Sequence, residues 1–188
     1  LVTDKIDAEG LRSLAAAEGI EITRAINPKP EELNALLADA DAWLVRSESQ
    51  VTAERLSRAG KLRLVGRAGV GVDNIDVQAA SRRGIAVVNA PAANTISACE
   101  HTWALLLSLA RNVPQADREV KEGKWERAKW QGLELSGKTL GLVGLGRIGR
   151  EVAKRARAFG MDVLAYDPFI TAKQAESLGV ESLPFEEV

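Results

Sequence analysis

The sequence predicts an α/β protein built on parallel β-sheets. Short runs rich in β-branched and apolar residues alternate with longer stretches of helical periodicity, and glycines follow several of those stretches. A second observation is a glycine-rich motif, G-x-G-x-x-G, directly after one of the predicted strands. Alternation of strands and helices is typical of parallel sheets, because each crossover helix returns the chain to the same edge.

The composition excludes several classes of protein. The 188 residues include 25 Lys and Arg against 26 Asp and Glu, and a net charge of −1 argues against a nucleic-acid binder. Cys99 and His101 are the only residues of their types, so we expect neither a disulfide framework nor a metal site. A single thiol also fits a reducing compartment, which indicates a cytoplasmic protein. No signal peptide or membrane-spanning stretch is apparent in the sequence.

Residues 1–93 are expected to form one doubly wound domain. Strands are predicted over residues 1–3, 21–25, 42–45, 62–65 and 86–89, and helices over residues 7–18, 30–38, 52–59 and 74–83. Asp7 and Thr52 are of the types that cap helix N-termini, and Gly19 and Gly84 stand where a left-handed C-cap favours glycine. This spacing predicts a flavodoxin-like sheet of five parallel strands in the order 2-1-3-4-5.

Residues 94–188 begin with a different pattern. Residues 97–100, Ser-Ala-Cys-Glu, form a capping box that is expected to open an apolar helix, buried between layers or at an interface. A polar stretch follows, with a short helix over residues 115–122 and an irregular loop that carries Trp125 and Trp130 among basic residues. Such a cluster can bind nucleic acid, but the near-neutral charge favours a loop anchor or a protein interface.

A second α/β pattern starts at residue 139. Strands are predicted over residues 139–143, 162–166 and 180–183, and helices over residues 147–159 and 171–178 and from residue 184. In the first of these helices Ile148, Val152, Ala156 and Phe159 fall on one face. A complete dinucleotide-binding domain has about six strands, so three strands predict an incomplete one.

The glycine-rich motif is Gly144-Leu145-Gly146-Arg147-Ile148-Gly149, between a predicted strand and a predicted helix. Gly144 allows the tight turn, Gly146 lets a pyrophosphate approach the backbone, and Gly149 lets helix and strand pack closely. The pyrophosphate would lie at the helix N-terminus, where free N–H groups and the helix dipole favour anions, and Arg147 could contact a phosphate oxygen. The context predicts a Rossmann domain.

An acidic residue completes this fingerprint. Asp167 lies 18 residues after Gly149, at the end of the next predicted strand. A carboxylate at that place accepts hydrogen bonds from the adenosine ribose hydroxyls and repels a 2′-phosphate. The sequence therefore predicts NAD as the cofactor, in preference to NADP.

A candidate anion site lies at the carboxyl ends of three predicted strands of the first domain. Arg46-Ser47 follows the third strand, residues 66–73 follow the fourth, and residues 90–95 follow the fifth. The third and fourth strands are neighbours in the predicted order, so Arg46 and Arg67 would converge beside the N–H groups of Gly69 and Gly71. Such a site suits phosphate or carboxylate. The alternative is that each arginine is a surface salt-bridge partner.

Two other residues carry weaker signals. Glu100 precedes His101, but adjacent residues on a helix do not face each other, so the two do not form a base and its orienting acid. The favoured interpretation is that His101 lies on the helix surface or is partly buried. Cys99 is interpreted as a small core residue.

Several of these stretches together resemble the D-2-hydroxyacid dehydrogenase family. The matching pieces are residues 45–47, 65–74, 123–127 and 137–149, and the likeness runs over the whole chain. Arg46-Ser47 and Gly66-Arg67-Ala68-Gly69 resemble more narrowly the branch that oxidises 3-phospho-D-glycerate to 3-phosphohydroxypyruvate, the entry step to serine synthesis.

The resemblance implies a substrate site with named residues. Arg46, Ser47 and Arg67 would bind the anionic groups of the substrate, and the backbone from Gly69 to Gly71 would bind its carboxylate. Val70 stands where family members often have Thr, on the side of the nicotinamide, so a hydroxyl contact there would be lost.

The resemblance also implies cofactor contacts and a partner. Arg147, Ile148 and Asp167 would hold NAD, and Asn94 would lie beside the reacting centre. The family forms homodimers or higher homo-oligomers largely through the cofactor domain, and residues 125–130 would reach a neighbouring subunit. Residues 1–93 would thus be the substrate-binding domain and residues 94–188 a truncated NAD-binding domain.

The residues that move the hydroxyl proton are not expected in this chain. The family's catalytic Arg, Glu and His would come after Val188, and His101 does not match the catalytic histidine. We therefore expect the chain alone to lack dehydrogenase activity. Two alternatives stay open: another D-2-hydroxyacid dehydrogenase, acting on glyoxylate, hydroxypyruvate or lactate, or a non-catalytic NAD-sensing protein of the corepressor type.

Overall fold

Two parallel β-sheets, one in each half of the chain, carry the fold. The computed structural model describes residues 1–188. Contacts divide the chain into Leu1–Ala93, called unit 1, and Asn94–Val188, called unit 2. Each unit has its own hydrophobic core. The predicted α/β class with parallel strands is confirmed.

Unit 1 contains a three-stranded parallel sheet and four helices. The elements in chain order are α1 (Ala8–Ala15), α2 (Pro30–Asp39), β1 (Ala42–Val45), α3 (Ala53–Arg58), β2 (Leu64–Arg67), α4 (Val77–Arg82) and β3 (Ala86–Asn89). The sheet order is β1-β2-β3, with Val45 paired to Arg67 and Arg67 paired to Asn89. The carboxyl ends of the three strands therefore meet at one edge.

The first two predicted strands are reduced to single-residue bridges. Val2 pairs in parallel with Leu44 of β1 on one side and with Arg24 on the other. This gives the segments the predicted order 2-1-3-4-5. Backbone hydrogen bonds flank both bridges, since the Val2 N–H donates to Thr23 and the Asn27 N–H donates to Thr3, and Asn27 has a left-handed φ of 49°.

Other predicted boundaries in unit 1 are also wrong, and the helix predicted over residues 7–18 ends at Ala15. The strand predicted over residues 62–65 lies two residues later, because the Leu62 N–H donates to the Ala59 carbonyl in the turn after α3. The helix predicted from residue 74 begins at Val77, because the carboxylate of Asp76 caps it by accepting the Ala79 N–H at 2.8 Å. Arg67 is consequently the last residue of β2 instead of part of the loop after it.

A buried carboxylate holds the loop that follows β1. Asp4 is fully buried, and its Oδ2 accepts the N–H groups of Arg46 (2.6 Å), Glu48 (3.2 Å) and Ser49 (3.1 Å). The Ser49 hydroxyl donates to Oδ1 and also contacts the Thr3 hydroxyl. Burial opposes ionisation of Asp4, but these hydrogen bonds together lower its pKa below the ordinary value. The loop is therefore organised around a charged group.

Unit 2 contains the second parallel sheet. Its elements are α5 (Thr95–Ala110), α6 (Val113–Lys121), a 3₁₀ turn (Arg127–Trp130), β4 (Thr139–Val143), α7 (Arg147–Ala158), β5 (Asp162–Tyr166), α8 (Ala172–Ser177), β6 (Glu181–Ser182) and a second 3₁₀ turn (Phe185–Glu187). The sheet order β4-β5-β6 is that of one mononucleotide-binding half of a Rossmann fold. Strands β4 and β5 have the predicted bounds.

The predicted capping box of α5 is wrong. The helix begins at Thr95, with Asn94 as its N-cap residue, and the Ser97 hydroxyl donates to the Asn94 carbonyl. The helix is also less buried within unit 2 than predicted, since Leu105 is 59% and Leu109 75% exposed. An apolar helix that is not covered inside its unit leaves the interface alternative open.

The buried side of α5 packs on α7. Trp103 stacks on Phe159 with ring centroids 4.7 Å apart, and Cys99 is buried in the same core. Of the face predicted for α7, Val152 and Ala156 are buried. None of the helices combines the length and apolar character needed to cross a membrane.

The segment after α5 is more regular than predicted. Helix α6 starts at Val113 and includes Pro114 in its first turn, where proline is favoured. The residues predicted as an irregular loop include a 3₁₀ turn, and the Trp130 indole N–H donates to Glu119 of α6 at 2.7 Å. Trp130 therefore anchors this segment, whereas Trp125 is 74% exposed.

We expect Asp4→Asn to destabilise the chain in a pH-dependent way. Loss of charge-assisted hydrogen bonds should lower the free energy of unfolding by about 2 kcal/mol at pH 7. The pKa of folded Asp4 is depressed, so its stabilisation is present above the unfolded pKa of about 3.9 and is lost as pH falls through the folded pKa.

Urea denaturation from pH 7 down to pH 3 checks this expectation. The stability difference between wild type and Asp4→Asn should shrink in acid, while Glu18→Gln, at an exposed position, should match wild type at every pH. A difference that stays constant down to pH 3 would contradict the role of the Asp4 charge.

Candidate anion and dinucleotide sites

Arg67 lies over the glycine-rich loop that follows β2. Its side chain is only 10% exposed. A Cβ on Gly71 would come within 2.8 Å of Arg67 Nη1 and 2.7 Å of Asp73 Oδ1, so a side chain there would displace one of the two groups. The structure therefore brings Arg67, Gly69 and Gly71 together, as the sequence predicted, and gives a reason for the second glycine.

The guanidinium of Arg67 is engaged through one nitrogen. Nη1 donates to Asp73 Oδ1 at 2.6 Å, while Nε is buried without a hydrogen-bond partner. This hydrogen bond lowers the pKa of Asp73, which is 81% exposed. An arginine has five N–H donors, so a single contact leaves others for an anion.

The loop after β2 is fastened to the end of β3. The Ala90 N–H donates to the Gly69 carbonyl at 2.9 Å, and the side-chain amide of Asn89 donates to the Val70 carbonyl at 2.6 Å. The Val70 side chain is about one-third exposed. The backbone of the loop is thus fixed before any ligand arrives.

Arg46 stands at the end of the neighbouring strand. Val45 pairs with Arg67, so the two arginines lie at adjacent strand ends, as predicted. Their guanidinium groups take different partners, since Arg46 Nη1 donates to the Lys5 carbonyl at 3.1 Å. Ser47 is exposed beside Arg46. Both arginines are therefore at one edge of unit 1, with separate anchors.

The glycine motif of unit 2 forms the turn from β4 to α7. Gly144 has a φ of 105°, in the region that favours glycine, and its N–H donates to the Tyr166 carbonyl at 2.8 Å. A Cβ on Gly149 would collide with the Gly144 carbonyl oxygen, so this position requires close approach of helix and turn. A Cβ on Gly146 would meet nothing within 4 Å, which leaves open space beside that backbone.

Asp167 lies next to this turn, at the end of β5. Its Oδ2 accepts the Leu145 N–H at 2.7 Å and its Oδ1 accepts the Phe169 N–H at 2.8 Å. These backbone hydrogen bonds lower the pKa of Asp167, so the carboxylate is charged near neutrality. Each oxygen retains a lone pair that can accept a hydroxyl donor.

The residues of unit 2 fit a dinucleotide. Helix α7 has 12 residues and begins directly after the glycine turn, so its positive dipole end lies beside Gly146. Arg147 and Ile148 are exposed at that end. Open space beside Gly146, a helix N-terminus and a charged carboxylate after the next strand are the features that pyrophosphate and ribose require.

Asn94, Cys99 and His101 lie at the start of helix α5 or within it. Asn94 is exposed at the start of α5, and His101 is exposed on the same helix. Cys99 is buried, and burial raises the pKa of its thiol.

Four polar residues that organise these sites had no role in the sequence analysis. They are Asp4, Asp73, Asn74 and Asn89. Only their position in the sequence could have indicated a role, since each stands at or just beyond the end of a strand or inside the glycine-rich loop. Asp4, Asn74 and Asn89 bind backbone groups of other loops, and Asp73 binds the Arg67 guanidinium, and no sequence pattern specifies these partners.

Comparison with known proteins decides the family. The protein-family model described as the D-isomer specific 2-hydroxyacid dehydrogenase catalytic domain matches residues 1–183 of the sequence. The chain belongs to this family. It is 51% identical over 186 residues to the D-3-phosphoglycerate dehydrogenase of Archaeoglobus fulgidus and 50% identical over 189 residues to that of Bacillus subtilis, which cover 99% and 100% of the chain. The chain spans 35% of the length of these relatives.

Several solved structures share this fold. A protein from Thermus thermophilus is 35% identical with a TM-score of 0.85, covering 99% of the chain and 60% of its own. D-lactate dehydrogenase from Aquifex aeolicus, complexed with NAD and lactic acid, is 28% identical with a TM-score of 0.83, covering 96% and 54%. An NAD-dependent formate dehydrogenase from Staphylococcus aureus, in complex with NAD, is 30% identical with a TM-score of 0.79, covering 99% and 60%.

Two glycine substitutions separate folding from ligand binding in unit 2. Gly149→Ala should destabilise the chain, because its methyl group collides with the Gly144 carbonyl. Gly146→Ala should leave stability unchanged, since its methyl group enters open space and φ is −72°. The same methyl group should weaken NADH binding at least about tenfold if a pyrophosphate occupies that space.

Thermal denaturation and NADH fluorescence titration of both variants measure the two effects. A Gly146→Ala chain that binds NADH as tightly as wild type would show that no ligand approaches that backbone. Ala158→Gly is the control, because Ala158 lies at the C-terminal end of α7, outside the glycine motif. It should leave NADH binding unchanged.

Proposed function

We propose that the protein containing this chain catalyses the NAD-dependent oxidation of 3-phospho-D-glycerate to 3-phosphohydroxypyruvate, the first step of serine biosynthesis. The observation that carries this proposal is the identity of about half of the residues, over nearly the whole chain, with relatives named D-3-phosphoglycerate dehydrogenase. The D-lactate and formate dehydrogenases of known structure are less similar to the chain, at 28% and 30% identity.

Unit 1 is the proposed substrate-binding domain. A substrate with a carboxylate and a phosphate needs two cationic contacts, and Arg46 and Arg67 stand at adjacent strand ends. The fixed N–H groups of residues 69–71 supply neutral donors for the carboxylate. Ser47, exposed beside Arg46, adds a hydroxyl donor.

Unit 2 is the proposed cofactor domain. Gly144, Gly146 and the first-turn N–H groups at Arg147 and Ile148 would hold the pyrophosphate, and Asp167 would accept the ribose hydroxyls. Bound NAD supplies a hydride acceptor for the C2 hydrogen of the substrate. The Asp167 charge disfavours a 2′-phosphate, which supports NAD over NADP. Asn94 and Val70 are proposed contacts near the reacting centre.

We also propose a homodimer or higher homo-oligomer through the cofactor domain. Unit 2 exposes large apolar side chains along α5, α6 and the segment after them: Leu105, Leu109, Val113, Val120 and Trp125. Extended exposure of this kind marks interaction surfaces. A cytoplasmic location is proposed from the metabolic role and the free thiol of Cys99.

The substrate proposal predicts a selective effect of Arg46→Ala in the full-length enzyme. Loss of a charge-assisted contact to phosphate should lower kcat/KM for 3-phospho-D-glycerate about a hundredfold, and for an unphosphorylated 2-hydroxy acid by less than about threefold.

Steady-state kinetics with D-lactate and D-glycerate as comparison substrates measure this selectivity. Arg24→Ala, at an exposed arginine elsewhere in unit 1, is the control and should leave both values unchanged. Equal losses on phosphorylated and unphosphorylated substrates would contradict phosphate recognition by Arg46.

The cofactor proposal predicts that Asp167→Asn relaxes the choice between NAD and NADP. The amide keeps one oxygen acceptor but removes the negative charge that repels a 2′-phosphate. The ratio of NADPH to NADH dissociation constants should fall at least about tenfold. Asp162→Asn, at the opposite end of β5, should leave the ratio unchanged. An unaltered ratio in Asp167→Asn would place the discrimination elsewhere.

A further inference from the structure

Asn74 is a buried polar residue to which the proposed reaction gives no role. Only 5% of it is exposed, and its side-chain amide donates to the carbonyl oxygens of Arg46 (2.8 Å) and Ser49 (2.6 Å). Asp4 accepts N–H groups from the same loop. The backbone of Arg46 is therefore held through its N–H by Asp4 and through its C=O by Asn74.

Asp73, the preceding residue, contacts the other arginine. Its carboxylate is 81% exposed, but the Arg67 side chain that it binds is 10% exposed. Exposed ion pairs ordinarily contribute little, because two mobile side chains must be ordered. Here the arginine stem is already fixed, so the contact determines where the guanidinium points. Gly71 leaves the room for this arrangement.

The backbone that carries both residues is itself anchored. The Val51 N–H donates to the Asn74 carbonyl at 2.8 Å, and Val51 forms a parallel bridge with Ile75. Val51 and Ile75 are both buried in the core of unit 1. Residues 73 and 74 therefore have a fixed place relative to β1 and β2.

We propose that Asp73 and Asn74 are a pair of positioning residues that fixes the two anion-binding arginines relative to each other. Asn74 acts on Arg46 through its backbone, and Asp73 acts on Arg67 through its guanidinium. Because the two residues are adjacent and anchored, they set the separation of the two cations for a substrate with two anionic groups. This inference rests on the proposed function, since it assigns both arginines to the substrate.

The geometry distinguishes positioning from competition. Asp73 contacts Arg67 through Nη1 alone, and Arg67 Nε has no hydrogen-bond partner. A carboxylate that blocked the arginine would engage its fork through two nitrogens. Removal of Asp73 should therefore weaken substrate binding. If Asp73 competed with the substrate, its removal would strengthen binding.

Side-chain ¹⁵N NMR of the 188-residue chain tests the effect on Arg67 directly. We expect slow rotation and resolved Nη signals for Arg67 in wild type, and averaged signals in Asp73→Ala. Arg67→Lys identifies the resonances. Asp39→Ala, which removes an exposed ion pair with Lys61, is the matched control and should leave them resolved. Resolved Arg67 signals in Asp73→Ala would overturn the proposal.

Kinetics of the full-length enzyme test the effect on the substrate. Asp73→Ala and Asn74→Ser should each raise KM for 3-phospho-D-glycerate about tenfold with kcat nearly unchanged, and Asp73→Asn should lie between. The effect of Asp73→Ala should vanish in an Arg67→Ala background and persist with Arg46→Ala. The effect of Asn74→Ser should show the reverse dependence.

The outcomes separate this inference from the proposed function. Lower KM in Asp73→Ala, or losses that add independently of the arginine backgrounds, would overturn positioning while leaving the substrate assignment intact. A full-length enzyme that does not oxidise 3-phospho-D-glycerate would overturn the proposed function. The Arg67 rotation in the chain would then still decide whether Asp73 fixes this arginine. Because Asp73 is exposed, its variants are expected to fold.

Discussion

The Asp4 carboxylate is the interaction on which the anion-binding edge of unit 1 depends. A buried charge must be compensated, and three backbone N–H groups and a hydroxyl from one loop do so. The loop cannot move without leaving the charge unsatisfied. Arg46 is part of this loop, so its position follows from the compensation of Asp4.

An aspartate holds a backbone turn in the same way in unit 2, at the turn from β4 to α7. Asp167 directly follows β5 and accepts the Leu145 N–H from the turn after the neighbouring strand β4. Asp4 likewise follows a segment that neighbours β1 and binds the loop after β1. In each unit an aspartate just after one strand thus fixes the loop that follows a neighbouring strand. Parallel sheets make this possible because all their carboxyl ends lie at one edge.

The glycines of the two sites meet different physical demands. Gly71 gives space to the Arg67–Asp73 pair, and Gly149 lets α7 approach the turn closely. A Cβ on Gly146 would meet nothing within 4 Å, so packing within the chain does not require glycine there, and the proposed pyrophosphate would supply the requirement.

Local patterns in the sequence determined the α/β class, the bounds of β4 and β5, and the cofactor fingerprint of Gly144, Gly146, Gly149 and Asp167. Those features depend on side-chain periodicity and on backbone freedom within a few residues, which a sequence displays directly. The sequence also displayed Arg46 and Arg67, the two arginines proposed to bind the substrate.

Only the tertiary structure decided how these residues are held. The start of β2 moved because Leu62 bonds to the turn after α3, and the start of α5 moved because Asn94 takes the N-cap position. The roles of Asp4 and Asn74 depend on partners about 25 to 45 residues away along the chain. Hydrogen bonds over such separations form where strand ends are brought together, and no local pattern encodes that meeting.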